Sequence, residues 1–342
     1  MTIFSCLALL LLLIGCLFYA APIQVALAET IFFCLQSIIP ALYAVMIAAQ
    51  LLIRTNGYLF FCKPFAWLFQ KRLPPVCFAI FLMSQVAGYP VGAKLLDIQT
   101  QNGTLTRKQA TLLTGVCFGS GPSFLFGTLA ALTGKAGCWL LFFSMLSANI
   151  LLLLLMIPFL SLPKVPETAP RRLTASMLSE TVIQSGTALL QMCAMILFFR
   201  CLLTIAQASG LFPSSGLLCA FFEITSLTTL SPSTPWLFSL FAALLSFGGI
   251  CVHLQIFAVT NGRISIFLVL LLRGVAALFA AAFCRIGCYL FPQVLSLVTN
   301  SRSVSAPVLQ GSSVSPAASL LLLVATILLL QTAEQQKQML KK

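Results

Sequence analysis

"GYPVGAKLL", Gly88–Leu96, interrupts a segment that is otherwise apolar from residue 75 to residue 99. Proline removes a backbone donor and blocks the preceding helical turn, and glycine permits backbone angles that other residues resist, so a helix entering this stretch must stop and restart. Each half is then about 10 to 14 residues long, too short to cross a hydrocarbon core of about 30 Å. The same pattern recurs in residues 109–133, broken at "GSGPS" (Gly119–Ser123), and in residues 236–261, broken at "SFGG" (Ser246–Gly249). Half-helices of this length suit re-entrant hairpins or broken helices, whose freed backbone groups need partners inside protein or beside a water-filled cavity.

The composition around these breaks sets the class. Of 342 residues, 60% are hydrophobic and only 7% charged, which reads as a polytopic membrane protein. Apolar runs long enough to span occur at 2–20, 25–53, 136–160, 181–208 and 264–291, and continuous runs of this kind exclude a barrel, whose strands alternate polar and apolar residues. The expectation is an all-α fold of about seven full spans, with broken helices and two re-entrant hairpins, at 75–99 and 236–261. The N-terminal run lacks a basic flank and has a long apolar stretch, so it reads as a retained first helix rather than a cleaved signal. The net charge of +13 is spread over short loops with no aromatic-interleaved basic stripe; this speaks against nucleic acid and for membrane orientation, with the lipid bilayer as partner. The 13 cysteines sit singly in apolar segments such as "FFCLQ" and read as small core residues. No cofactor and no metal site is expected, and no nucleophile elbow, metal motif or paired acid suggests an enzyme.

Charge placement orients the chain. If 75–99 turns back to its own side, then Arg54, Lys63, Lys71, Arg72, Arg107, Lys108, Lys164, Arg171 and Arg172 share one face, opposed by Lys135 and Arg263. That asymmetry puts loop 97–108 and linker 161–176 in the cytoplasm. Two halves with matching parts follow: 25–53 with 181–208, 58–70 with 211–229, and hairpin 75–99 with hairpin 236–261, the second set running in the opposite sense. The expected organisation is a first helix (1–24), two inverted repeats (25–160 and 177–292) joined by linker 161–176, a second linker (293–317) and a C-terminal apolar segment with a basic tail (318–342).

"SQVAGYPVGAKLL", "LTRKQATLLTGVCFGSGPSFLFGTL", "FFEITSL" and "SFGGICVHLQI" resemble the signature segments of sporulation integral membrane proteins of the YlbJ type, within the nucleoside recognition or Gate domain group. That group includes the pore-forming parts of concentrative nucleoside transporters and of bacterial ferrous iron transporters. The resemblance covers about residues 35 to 290. It implies a bacterial multi-pass membrane protein linked to spore formation, and specifies no substrate.

Candidate site residues cluster at the breaks. At the first tip these are Gly88, Tyr89, Pro90 and Gly92, with Lys94 one turn into the second half-helix, where free amides and a cation would attract an anion. The alternative is that these glycines serve helix packing and Lys94 snorkels to the interface. Gly119, Ser120, Gly121, Pro122 and Ser123 repeat the pattern, with Pro122 placed to open a half-helix. Gly248 and Gly249 form the third break. Glu223, an acid within "LLCAFFEITSL", is expected to pair with Arg200 or Arg273 or to couple transport to a cation; His253 and Gln255 are candidates for proton relay. The leading expectation is a transporter or gate-like protein binding a small polar or anionic solute, nucleosides included, where "GYPVG" and "SFGG" meet. On that reading Gly88→Leu or Gly249→Leu abolishes binding without unfolding the protein. The rival is a structural membrane protein that recruits partners for spore cortex or envelope assembly. Whether the chain forms a homo-oligomer stays open.

Overall fold

The computed structural model describes residues 3–62, 73–160, 170–212, 216–230 and 232–294. All regular structure among them is helical. Five helical stretches are long and apolar enough to cross a membrane, Ala20–Arg54, Pro122–Phe159, Ala175–Ala208, Pro235–Val259 and Ile266–Leu290, so the chain is an all-α, polytopic membrane protein. The cations Lys63, Lys71, Arg72 and Lys164, most of segment 58–70, and the C-terminal elements from 295 onward lie outside the described residues.

In the first half, α1 (Ile3–Phe18) precedes α2 (Ala20–Phe33), which continues through a π-helical turn into α3 (Ile39–Arg54); a short α4 (Leu59–Cys62) follows. Next come α5 (Pro75–Ala87) and α6 (Val91–Gln101), which pack against each other across the break at Gly88–Pro90. Val76 at the start of α5 and Asn102 just past α6 line the same cavity, so both open ends of this helical hairpin lie on one side. Helix α7 (Arg107–Thr114) opens with a Thr106/Gln109 capping box and ends before a non-helical stretch, after which Pro122 takes the first position of α8 (Pro122–Phe124). A π-helical turn then leads into α9 (Ala130–Met156).

The stretch from Pro122 onward is two helices, because the chain bends back at Gly134 (φ 65°, ψ 165°). Cys138 Sγ donates to the carbonyl of Leu125 at 3.2 Å and the rings of Phe126 and Trp139 lie 4.8 Å apart, whereas a straight helix would separate such residues by about 20 Å. This agrees with the division of the sequence into a broken segment ending at 133 and a span starting at 136.

In the second half, α10 (Ala175–Ala208) runs antiparallel to α3: Gln50 Nε2 donates to Ser185 Oγ at 3.0 Å, and Arg54 pairs with Glu180 at 3.2 Å. Helix α11 (Gly216–Phe222) meets a 3-10 turn (Ile224–Thr229) that folds back along it, so that a Cβ on Gly216 would lie 2.6 Å from the Leu230 side chain. Helices α12 (Pro235–Phe247) and α13 (Gly249–Val259) follow, then α14 (Ile266–Leu290).

Two expectations need correction. The segment 236–261 is not a closed hairpin: α12 packs on α14 and α9, α13 packs on α10, α11 and α6, and the halves diverge at Gly248. Together they form one broken helix of 25 residues, long enough to cross. The fold-back of the second half is instead at 216–230, and the counterpart of 236–261 is the broken segment 107–133. Both halves therefore contain, in order, a long helix, a fold-back, a broken helix and a long helix. The second correction follows from the first. Arg263 does not oppose Arg107: its Nε and Nη2 donate to Asp97 at 2.7 and 2.9 Å, and Arg107 donates to the Gly262 carbonyl at 3.1 Å. Loop 260–265 thus shares a face with loop 97–108, and hydrogen bonding to Asp97 raises the Arg263 pKa above its ordinary value.

Candidate solute site at the meeting of the chain breaks

Each fold-back tip docks on a broken helix through bare backbone. At the first junction the Tyr89 amide donates to the Gly119 carbonyl at 2.8 Å. A Cβ on Gly121 (φ +70°) would sit 3.1 Å from the Gly88 nitrogen, and one on Gly92 would sit 2.3 Å from the Cys117 carbonyl oxygen. Only glycine lets two chains approach this closely. At the second junction a Cβ on Gly249 (φ +76°) would lie 3.3 Å from the carbonyl oxygens of Ala220 and Phe222 and from the Ile224 nitrogen. The "SFGG" break therefore rests on the tip that carries Glu223.

Phe118 joins the two junctions. Its ring packs 4.9 Å from that of Tyr89 and 5.5 Å from His253, and it leaves no room for a side chain at Gly248, whose Cβ would be 2.5 Å away. Arg273 Cζ stands 4.5 Å from the same ring, a cation–π contact. The Arg273 guanidinium, fully buried, donates to the Ser246 carbonyl from two nitrogens, to Ser246 Oγ (2.7 Å), to the Gly115 carbonyl (3.0 Å) and to Asn149 Oδ1 (2.7 Å). Those carbonyls lie at the ends of α12 and α7, where helical C=O groups lack intrahelical partners and a cation complements the dipole. Asn149 also donates to Gln85 Oε1 at 2.8 Å and to the Phe118 carbonyl at 2.7 Å.

Arg273 was one of two candidate partners for Glu223; among the described residues it makes no ion pair with an acid. Arg200 makes no ion pair with Glu223 among the described residues either. Glu223 accepts from the Thr225 amide at 3.0 Å and from Thr225 Oγ1, so it caps the turn it begins. Asn149 lies outside the segments quoted from the sequence, though a polar residue flanked by long apolar runs is the signal that finds it, and Gln85 and Ser246 stand there only as parts of the quoted breaks.

Between the junctions lies a small, partly open cavity of about 30 Å³, room for one or two water-sized groups. Its polar lining is Tyr89, Ser120, Glu223, Thr225 and Gln255; the rest is apolar, supplied by α3, α10 and α13 among others, and no Lys or Arg among the described residues faces it. Tyr89 Oη and Gln255 Oε1 are buried and lack a hydrogen-bond partner among the described residues, an expensive state that a bound polar group would relieve. Ser120 Oγ contacts Met145 Sδ at 3.4 Å.

The sequence-predicted residues therefore divide. Tyr89, Ser120, Glu223 and Gln255 line the cavity. Gly88, Gly92, Gly119, Gly121 and Gly249 lie against backbone of the facing segment, Gly248 lies against the Phe118 ring, and Pro122 opens its helix. Pro90 faces an adjoining groove between α10 and α13 that shares Met192 and Gln255 with the cavity. His253 stacks on Phe118 and meets Phe247 edge-on. Lys94 and Ser123 are half-buried and do not line the cavity.

No family model matches the chain, and no curated protein or solved structure is similar to it at a significant level.

Proposed function

We propose that the protein is a membrane transporter or gate-like protein whose solute occupies the cavity at Glu223. The observation that carries this reading is the convergence of one buried acid with two polar atoms unpartnered among the described residues, on Tyr89 and Gln255, in a small cavity between docked chain breaks. Intramembrane acids facing a cavity are costly and characteristically serve ion or solute pathways. The repeated order of parts in the two halves, with α3 and α10 antiparallel, fits an inverted repeat, the architecture that places solute sites at broken-helix tips. A cavity of this size whose only charged side chain among the described residues is an acid suits a small cation or a small donor group of a solute, and it lends nothing to an anion.

Among the described residues Arg54, Arg107, Lys108, Arg171, Arg172 and Arg263 gather at the end bearing loop 97–108, whereas Lys135, Arg200 and Arg285 lie toward the other, an imbalance that favours a cytoplasmic first end. The resemblance to YlbJ-type proteins adds a bacterial membrane and a role in spore formation to this reading.

The test is the thermal stability of purified protein against nucleosides, alkali cations and small amines. A ligand at 100 times its Kd stabilises by about 2.7 kcal/mol. We expect a stabilising solute whose effect disappears in Glu223→Gln at unchanged ligand-free stability. A solute that stabilises Glu223→Gln equally, or a panel without effect on well-folded protein, sinks the reading.

A further inference from the structure

A second, larger cavity of about 610 Å³ opens at the face bearing loop 97–108, between α3, the α5–α6 hairpin and the start of α10. It shares no lining residue with the central cavity. Its lining contains two arginines, Arg54 and Arg171, against one acid, Glu180. Arg54 is held in place by Glu180 at 3.2 Å and by Gln184 Oε1 at 2.9 Å. Arg171 has no acidic partner among the described residues, while its backbone amide, donating to the Thr55 carbonyl at 2.8 Å, fixes it beside the end of α3. At the floor is Gln50, only 3% exposed: its Nε2 donates to Ser185 Oγ, and its Oε1 is buried with no partner.

We infer that this vestibule is a ligand site for a phosphorylated polyol. Arg171 at the rim supplies the fork geometry that recognises a phosphate, while the guanidinium of Arg54, both of whose Nη atoms are engaged by Glu180 and Gln184, lines the same wall. The unpartnered Gln50 carbonyl below them calls for a donor, which a hydroxyl on the same ligand provides; a bare phosphate leaves that oxygen unsatisfied. The headgroup of a glycerophospholipid and a soluble polyol phosphate share this chemistry.

The experiment uses full-length protein in detergent and equilibrium dialysis against glycerol 3-phosphate and inorganic phosphate. Saturable binding is expected, with glycerol 3-phosphate preferred. Arg171→Gln, whose side chain is exposed and whose backbone anchor persists, should weaken both by about tenfold or more at an unaltered melting temperature. Gln50→Leu should erase the preference while phosphate still binds. Repeating the dialysis in phosphatidylcholine nanodiscs with and without phosphatidylglycerol identifies the source: competition by phosphatidylglycerol assigns the site to a lipid headgroup, and indifference to it assigns a soluble ligand. Absence of saturable binding to the wild type, or binding unaffected by Arg171→Gln, overturns the proposal.

Discussion

In the central cavity the single acid, Glu223, is 2% exposed and draws its hydrogen bonds from Thr225, two residues along the same tip. At the vestibule Arg54 reaches from α3 to Glu180 on α10, a side chain 60% exposed. The first arrangement is made within a few residues because a buried charge must be satisfied wherever the chain puts it. The second spans two helices because water screens any mismatch, so its geometry can be loose and its energy small. The centre is thus where a wrong atom costs stability, and the face is where charges can change with little effect on the fold.

Arg273 offers the most forceful attack on that contrast. Arg273→Met strips the partners from the Ser246 and Gly115 carbonyls and from Asn149, and should destabilise by about 4 kcal/mol, at about 1 to 3 for each group left unmade; denaturant or thermal unfolding in detergent measures it. Arg273→Lys should recover only part, since a point-like ammonium cannot span carbonyls that the guanidinium fork joins. A loss under about 1 kcal/mol in the Met variant would show that the centre tolerates unpaired groups as the face does.

Gly92→Ala comes next. The added methyl would stand 2.3 Å from the Cys117 oxygen and 2.7 Å from Ser84 Cβ, and overpacking of this kind costs about 3 kcal/mol. Gly274→Ala, with nothing within 4 Å of the new Cβ, should be neutral or slightly stabilising by the same assay. The pair isolates close approach from helix propensity. By the same geometry Gly88→Leu and Gly249→Leu cannot separate binding from folding, because both glycines have positive φ and abut backbone atoms; the cavity side chains make cleaner probes.

Glu223→Gln should be milder for the fold, within about 1 kcal/mol, because the amide oxygen still accepts from Thr225, while removing solute-dependent stabilisation. At the face, Glu180→Ala should change stability by less than about 1 kcal/mol, and the difference should fade further with added salt. A larger, salt-insensitive effect of Glu180→Ala would mean that the vestibule is drier than its exposure suggests.

Comparison with the sequence shows what was legible. The breaks at Gly88–Pro90, Gly119–Pro122 and Gly248–Gly249 could be read because glycine and proline act on the backbone locally, and the two α12–α13 glycines indeed both adopt positive φ. The fold-back at Glu223 carries neither residue at its turn. Glu223 itself takes the extended conformation (φ −137°, ψ 109°) and is held by Thr225, a signal that resembles any helix cap. The hairpin was therefore assigned to the glycines of 236–261, which instead kink a spanning helix. Arg263 was placed on the wrong face for the same reason.

The sequence by itself determined that the chain lives in a membrane as helices, and where those helices must break, because hydropathy and backbone chemistry are properties of short stretches. Only the tertiary structure decided which breaks dock on one another, that Arg273 serves helix ends while Glu223 faces the cavity, and that Tyr89 and Gln255 meet there. Partnership between distant segments depends on whether the halves of a broken helix converge or diverge, and the same glycines allow both.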